Sequence, residues 1–125
     1  MQVKIKELIA GAIEARGKSY SPYSHYQVGA ALLCADGQII TGCNIENAAY
    51  GPSNCAERTA FFKAVSEGIR AFAAIAIVGS PEGETLTQYA YPCGVCRQVM
   101  MEFCDPKHFQ VIVAKSEEDY RVMTL

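Results

Sequence analysis

The spacing of apolar residues in the first third of the chain predicts one helix followed by a hairpin. Apolar side chains recur at intervals of three and four residues, the spacing of one helix face, at Ile5, Leu8, Ile9, Ala12 and Ile13. Pro22 interrupts this pattern within residues 19–24. The next segment predicts two strands joined by a tight turn: the apolar run 28–34, the turn residues Asp36 and Gly37, and the run 38–44.

The rest of the chain predicts two helices and three strands. One helix covers residues 55–67 and stops at Gly68, and the other covers 93–104 with Pro92 beside its first turn. One face of this last helix should carry Val95, Val99, Met100 and Phe103. The strands are 72–78, 109–114 and 120–124, and residues 79–91 form a long polar loop.

The order of these elements predicts an α/β fold. Residues 72–78 are almost wholly apolar, which suits a central strand covered on both faces. The predicted order is helix, two strands, helix, strand, helix and two strands. This order predicts three α/β/α layers, with helices on both faces of a mixed five-stranded sheet. At 125 residues, we expect residues 1–125 to form a single domain.

Charge and hydropathy narrow the class of protein. The formal net charge is -2 and the 11 basic residues are scattered, so we expect no nucleic-acid partner. No apolar stretch approaches the roughly 18 residues that span a bilayer, and residues 1–13 lack a signal-peptide pattern. We therefore expect no membrane partner and a cytoplasmic location, where the six cysteines stay reduced or bind metal. Cys34, Cys43 and Cys104 lie in apolar runs and should behave as small buried hydrophobic residues.

The remaining three cysteines form a motif with a nearby carboxylate. Cys55-Ala56-Glu57 is followed by Pro92-Cys93-Gly94-Val95-Cys96, the recognised signature of zinc-dependent base deaminases. Three thiolate ligands leave one position of a tetrahedral Zn²⁺ open, as in catalytic sites. Glu57 lies two residues from the first ligand, where a carboxylate can carry protons during catalysis. We predict Cys55, Cys93 and Cys96 as zinc ligands and Glu57 as the catalytic residue.

The neighbouring residues suit this metal site. Both ligand elements fall at predicted helix N-termini, where the helix dipole favours thiolate over thiol. Three thiolates and one Zn²⁺ carry a net charge of about -1, which is unfavourable for activating water. Arg58 and Arg97 each adjoin a ligand motif and are predicted to offset this charge by hydrogen bonding to sulfur.

Other interpretations of the same residues remain open at this point. Cys93 and Cys96 can form a redox pair or half of a structural zinc site, for which His25, His108 or a spare cysteine is a candidate fourth ligand. Glu57 can instead close a capping box with Asn54. Neither alternative accounts for both elements of the motif.

Across nearly its whole length the sequence resembles the homotetrameric cytidine deaminase family. The matching stretches are Pro22-Tyr23-Ser24 leading into Val28-Gly29-Ala30-Ala31, Gly42-Cys43-Asn44-Ile45-Glu46-Asn47-Ala48, Cys55-Ala56-Glu57-Arg58-Thr59-Ala60 and Pro92-Cys93-Gly94-Val95-Cys96-Arg97-Gln98. The resemblance implies a pyrimidine nucleoside as substrate and a homotetramer with shared active sites. It also implies the substrate-binding residues Asn44 and Glu46 at the ribose, Ala48, Ala56 at the pyrimidine edge, Tyr50 reaching a neighbouring subunit's pocket, and Tyr26 beside the base.

The implied reaction is the hydrolysis of cytidine or deoxycytidine to uridine or deoxyuridine, with release of ammonia, as in pyrimidine salvage. Glu57 is expected to pass a proton to ring nitrogen N3 and to help protonate the departing ammonia. Three features depart from the family pattern. Tyr91 replaces the small residue, usually Ser, that precedes Pro92 and Cys93, and the loop before it is several residues longer. Relatives also continue beyond the position of Leu125 to a Phe that covers the base. Tyr91 is a candidate to cover the base instead, and we expect weaker nucleoside binding than in relatives that have this Phe.

Three other functions compete with this one. A deaminase of a related aminopyrimidine nucleoside such as blasticidin S shares the zinc signature, but Asn44 and Glu46 favour ordinary ribose. A deaminase of RNA or DNA is disfavoured by the acidic balance and the scattered basic residues. A zinc-stapled interaction module would release no ammonia and would close the zinc with a fourth protein ligand.

Overall fold

All eight predicted elements are present in the predicted order. The computed structural model describes residues 4–125, so residues 1–3 of the N-terminal stretch discussed above lie outside the described residues. The elements are α1 (Ile5–Arg16), β1 (Tyr26–Cys34), β2 (Ile39–Cys43), α2 (Ala56–Ser66), β3 (Phe72–Pro81), α3 (Gly94–Phe103), β4 (Gln110–Ala114) and β5 (Tyr120–Thr124). No helix within the described residues combines the length and apolar character that crossing a lipid bilayer requires.

The five strands form one mixed sheet in the order β2-β1-β3-β4-β5. Strand β3 lies at the centre, antiparallel to β1 and parallel to β4, and the two edge strands run antiparallel to their neighbours. The parallel β3–β4 pair needs a crossover, and α3 supplies it. The predicted central position of the apolar run 72–78 is therefore confirmed.

Helices cover both faces of the sheet, which confirms the three predicted layers. On one face, α1 buries Leu8, Ile9 and Ala12 against alternate residues of β1, β3 and β4. On the other face, α2 and α3 bury Phe61 and Met100 against the intervening residues of the same strands. Because β1, β3 and β4 bury side chains on both faces, they carry continuous apolar runs rather than an alternating pattern.

Strand β3 is longer than predicted. Residues 79–81, assigned above to the polar loop, continue the strand and pair with Tyr26, Gln27 and Val28 at the start of β1. The prediction was wrong here because Gly, Ser and Pro carry little strand signal, whereas pairing depends on the backbone of a neighbouring strand. An added Cβ at Gly79 would lie 3.0 Å from the ring of Tyr26, so glycine admits that ring.

Glycine also sets the position of α2 on the sheet. An added Cβ at Gly42 in β2 would lie 2.6 Å from both the carbonyl oxygen of Ala56 and the amide nitrogen of Ala60. The first turn of α2 therefore rests directly on the backbone of β2, a close approach that only glycine permits. This contact holds the N-terminus of α2, where the metal motif begins.

Candidate active site

Two helix N-termini bring the three predicted ligands together. Cys55 is the N-cap of α2 and Cys93 is the N-cap of α3, with Cys96 in the first turn. The Cys93 sulfur lies 3.9 Å from that of Cys55 and 3.3 Å from that of Cys96. All three sulfurs lie within 4.8 Å of one another. Sulfurs bound tetrahedrally at about 2.3 Å from zinc are ~3.8 Å apart, so the cluster fits a zinc ion.

Within residues 4–125, the three predicted ligands lie together and no fourth candidate lies beside them. Among residues 4–125, the cluster of metal-ligating groups consists of Cys55, Cys93 and Cys96. The two histidines considered above lie on the surface, where His25 contacts Glu82 and His108 contacts Asp105. A zinc ion held by the three sulfurs would therefore keep an open coordination position, the arrangement of a catalytic site.

The two arginines beside the motif behave differently. Arg58 Nη2 donates a hydrogen bond to the Cys55 sulfur at 3.2 Å. A hydrogen bond with Cys96 is the main cause that holds the pKa of the Cys55 thiol well below its ordinary value. The hydrogen bond and the positive charge of Arg58 lower this pKa further, by a smaller amount. Arg97, in contrast, is exposed and its side chain makes no hydrogen bond within the described part of the chain. The predicted contact with sulfur is thus present for Arg58 and absent for Arg97.

Glu57 is a buried carboxyl group in the first turn of α2. Its side chain is 4% exposed, and burial raises its pKa above the ordinary value. Glu57 does not close a capping box with Asn54, because the N-cap of α2 is Cys55 and its side chain makes no capping hydrogen bond. The side-chain Nδ2 of Asn54 instead donates to Thr59 Oγ1 at 3.2 Å. A buried carboxyl group with a shifted pKa beside three thiols is typical of a functional site.

A cavity of about 630 Å³ opens over the cluster. Besides Cys55, Cys93, Glu57 and Arg58, its walls include the predicted substrate residues Tyr26, Asn44, Glu46, Tyr50 and Ala56. Ala48, also predicted at the substrate, lies outside the lining on an exposed loop. The volume and the mixed apolar and polar walls suit a small molecule.

The apolar wall of this cavity is formed by residues that the sequence does not mark as functional. The side chains concerned are Val28, Ile77, Ala90 and Val95. Val28 and Ile77 carry the same strand pattern as the core residues around them, so the sequence holds no signal that separates cavity wall from core. Val95, predicted on one face of the last helix with Val99, Met100 and Phe103, is 57% exposed and lines the cavity, whereas Met100 is buried in the core.

The carboxamide of Asn44 is held from three directions. Its Oδ1 accepts hydrogen bonds from the Val28 amide at 2.9 Å and from the Ser19 hydroxyl. Its Nδ2 donates to the Tyr26 carbonyl at 2.8 Å, which leaves one N–H of the amide for a ligand. The group is therefore oriented before any substrate arrives.

The carboxylate of Glu46 is held by a turn. Its Oε1 accepts hydrogen bonds from the Tyr23 and Ser24 amides, each at 3.1 Å, and its Oε2 accepts one from the Ser24 hydroxyl. The hydrogen bond from the Ser24 hydroxyl lowers the pKa of Glu46 most, and the bond from the Ser24 amide lowers it further. The ionised carboxylate thus faces the cavity as a fixed acceptor.

The spare cysteines take no part in the metal cluster. Cys34 and Cys104 are buried as predicted, and burial raises the pKa of both thiols, that of Cys104 to about 12. Cys43 is only partly buried, and its sulfur donates to the Lys18 carbonyl at 3.5 Å, which corrects the prediction for this residue.

Comparison with known proteins agrees with this geometry. A family model described as "Cytidine and deoxycytidylate deaminase zinc-binding region" matches residues 2–113. The cytidine deaminase of Sporosarcina psychrophila is 56% identical over 101 residues, which cover 81% of this chain and 71% of the relative. The cytidine deaminase of Halalkalibacterium halodurans is 51% identical over 118 residues, which cover 94% of this chain and 85% of the relative.

Solved structures give the same result. The crystal structure of cytidine deaminase from Burkholderia pseudomallei matches with a TM-score of 0.84 and 48% identity, and the match covers 94% of this chain and 90% of that one. The chain belongs to the cytidine and deoxycytidylate deaminase zinc-binding family. It is a zinc-dependent hydrolytic deaminase.

Proposed function

We propose that residues 1–125 form a single catalytic domain that deaminates cytidine and deoxycytidine to uridine and deoxyuridine. The observation that carries this proposal is the placement of two kinds of group in one cavity. Cys55 and Glu57 line the same cavity as Asn44 and Glu46. The first pair belongs to a hydrolytic metal site, and the second offers a donor and an acceptor for the hydroxyls of a sugar.

Each residue of the site has a distinct task in this reaction. Cys55, Cys93 and Cys96 hold zinc, which when bound acts as a Lewis acid and lowers the pKa of a water molecule at its open position. Glu57 carries the two protons of the attacking water, one to N3 of the pyrimidine and the other to the departing ammonia. Overall, the oxygen of one water molecule replaces the amino group at C4.

The other residues bind and orient the nucleoside. Asn44 and Glu46 bind the ribose hydroxyls, and the backbone at Ala56 reads the pyrimidine edge at the positive end of α2. The ring of Tyr26 packs over Gly79 at the cavity wall, where it can lie beside the base. Tyr91, which is 54% exposed, also lines the cavity, and its ring is proposed to exclude water from it.

We further propose a homotetramer in which active sites are shared. Tyr50 supports this arrangement because its side chain is 94% exposed on the loop that borders the cavity. A large aromatic ring so fully exposed is suited to contact with a second subunit. Ala48, exposed on the same loop, would then contribute to the substrate site through that contact.

An assay of ammonia release and of the loss of cytidine absorbance tests the proposed function. We expect the zinc-loaded protein to convert cytidine and deoxycytidine, and to leave a cytosine-containing oligonucleotide unchanged at low salt. Blasticidin S in a parallel reaction tests the alternative aminopyrimidine substrate. Absence of ammonia from either nucleoside, with zinc shown to be bound, would contradict the proposal.

Replacing Arg58 by Ala should reduce turnover of cytidine by about tenfold while zinc stays bound, because outer groups that bond to metal ligands tune the metal. The hydrogen bond from Arg58 offsets the negative charge of the Cys55 thiolate, and the variant loses it. Zinc content and kcat are measured together. The matched control is Arg97→Ala, which removes an arginine beside Cys96 that touches no sulfur and should keep wild-type turnover. Full turnover of a zinc-replete Arg58→Ala protein would exclude this role.

A further inference from the structure

The segment that contains Pro22-Tyr23-Ser24 has no role in the reaction described so far. It nevertheless contacts both residues proposed at the ribose. The Tyr20 amide donates to the Asn44 carbonyl at 3.1 Å, and the Glu46 amide donates to the Tyr20 carbonyl at 2.8 Å. Residues 20–26 and 44–46 thus form one hydrogen-bonded unit at the edge of the cavity.

Within this unit the Ser24 hydroxyl has a defined direction. Its oxygen accepts a hydrogen bond from the Tyr26 amide at 3.1 Å, and its hydrogen is donated to Glu46 Oε2. Since the amide can only donate, the hydroxyl hydrogen points toward the carboxylate. The Ser24 hydroxyl therefore connects the backbone of β1 at Tyr26 to the carboxylate of Glu46.

The same turn closes around the other oxygen of Glu46. The successive amides of Tyr23 and Ser24 both donate to Oε1, an arrangement of adjacent N–H groups that binds anions. A carboxylate offers about four acceptor positions, and three are filled by these contacts. The remaining position is on Oε2, the oxygen that Ser24 orients.

We infer that Ser24 is a positioning residue for ribose recognition: its hydroxyl aims the free acceptor position of Glu46 Oε2 at a sugar hydroxyl of the nucleoside. This role rests on the proposed function, because it requires that Glu46 binds ribose. Ser24 touches neither the zinc ligands nor the base edge. Its effect should consequently depend on the sugar hydroxyls and not on the chemistry at C4.

The test compares Ser24→Ala and wild type on two ligands, cytidine and 2′,3′-dideoxycytidine, the second measured as substrate or as competitor. For cytidine, we expect KM to rise by about tenfold, the effect of losing a hydrogen bond to a charged group, while kcat changes less than about twofold. For the dideoxynucleoside, which lacks the ribose hydroxyls, the two proteins should agree within about twofold. Ser24→Thr keeps the hydroxyl and should restore most of the affinity for cytidine.

The matched control is Ser66→Ala, which removes an exposed serine hydroxyl from the far end of α2, where it donates to the Lys63 carbonyl. This variant should match wild type on both ligands. An equal loss of affinity for both ligands in Ser24→Ala, or no loss for cytidine, would overturn the inference while leaving the proposed function intact. A zinc-loaded wild type that fails to turn over cytidine would instead overturn the proposed function and this role with it.

Discussion

The Glu57→Gln variant is expected to bind zinc normally and to turn over cytidine roughly a thousandfold more slowly than wild type, within the range of rate lost with a general acid–base group. Glutamine has nearly the same shape as glutamate, so the first turn of α2 and the three sulfurs should stay in place. It cannot take up and release a proton, however. The measurements are zinc content and kcat with cytidine, taken on the same preparation.

The size of this effect follows from where the carboxyl group lies. Glu57 is 4% exposed, lines the cavity and lies two residues from Cys55 in the chain. Water is largely excluded from such a position, so a solvent molecule is a poor substitute for the missing proton carrier.

Two variants control this experiment. Glu67→Gln makes the same substitution at the exposed C-cap of α2 and should leave turnover unchanged. Glu57→Asp keeps a carboxyl group but withdraws it by one methylene, so we expect intermediate turnover. If the metal-replete Glu57→Gln protein turns over cytidine at the wild-type rate, another group must move the protons.

The arginines show how far the sequence alone can resolve this site. Both Arg58 and Arg97 adjoin a cysteine ligand, and the sequence predicts the same role for each. Side chains three and four residues after a given residue lie on the same side of a helix. Arg58 follows Cys55 by three residues and reaches its sulfur. Arg97 follows Cys93 by four residues and yet faces solvent, so spacing in the sequence does not separate the two arginines.

The topology was predictable for a physical reason, and the cavity was not. The strands of the core have long apolar runs, and the order of elements limits how they can pair. Each local pattern therefore carries part of the global fold. The walls of the cavity depend on where a turn lies against a distant strand. The contacts of Ser24 with Glu46 join residues 22 positions apart and leave no periodic trace in the sequence.

Replacing Cys96 by Ala is the second change expected to have a large effect. Two sulfurs, those of Cys55 and Cys93, remain at 3.9 Å, and the structure within residues 4–125 offers no further metal-ligating group beside them. Zinc should be lost on dialysis, and turnover of cytidine should fall by at least about a thousandfold, since zinc supplies the Lewis acid of the reaction. Metal analysis and the ammonia assay measure the two losses.

Cys104→Ala is the matched control, because Cys104 is another buried cysteine, at the C-cap of α3, and it lies outside the metal cluster. It should keep zinc and activity. Circular dichroism separates loss of metal from loss of fold: the α1 face of the sheet packs without any of the three ligand cysteines, so the Cys96→Ala protein should retain its helices and sheet. Wild-type turnover in a Cys96→Ala protein with bound zinc would mean that two sulfurs suffice and that Cys96 serves the core alone.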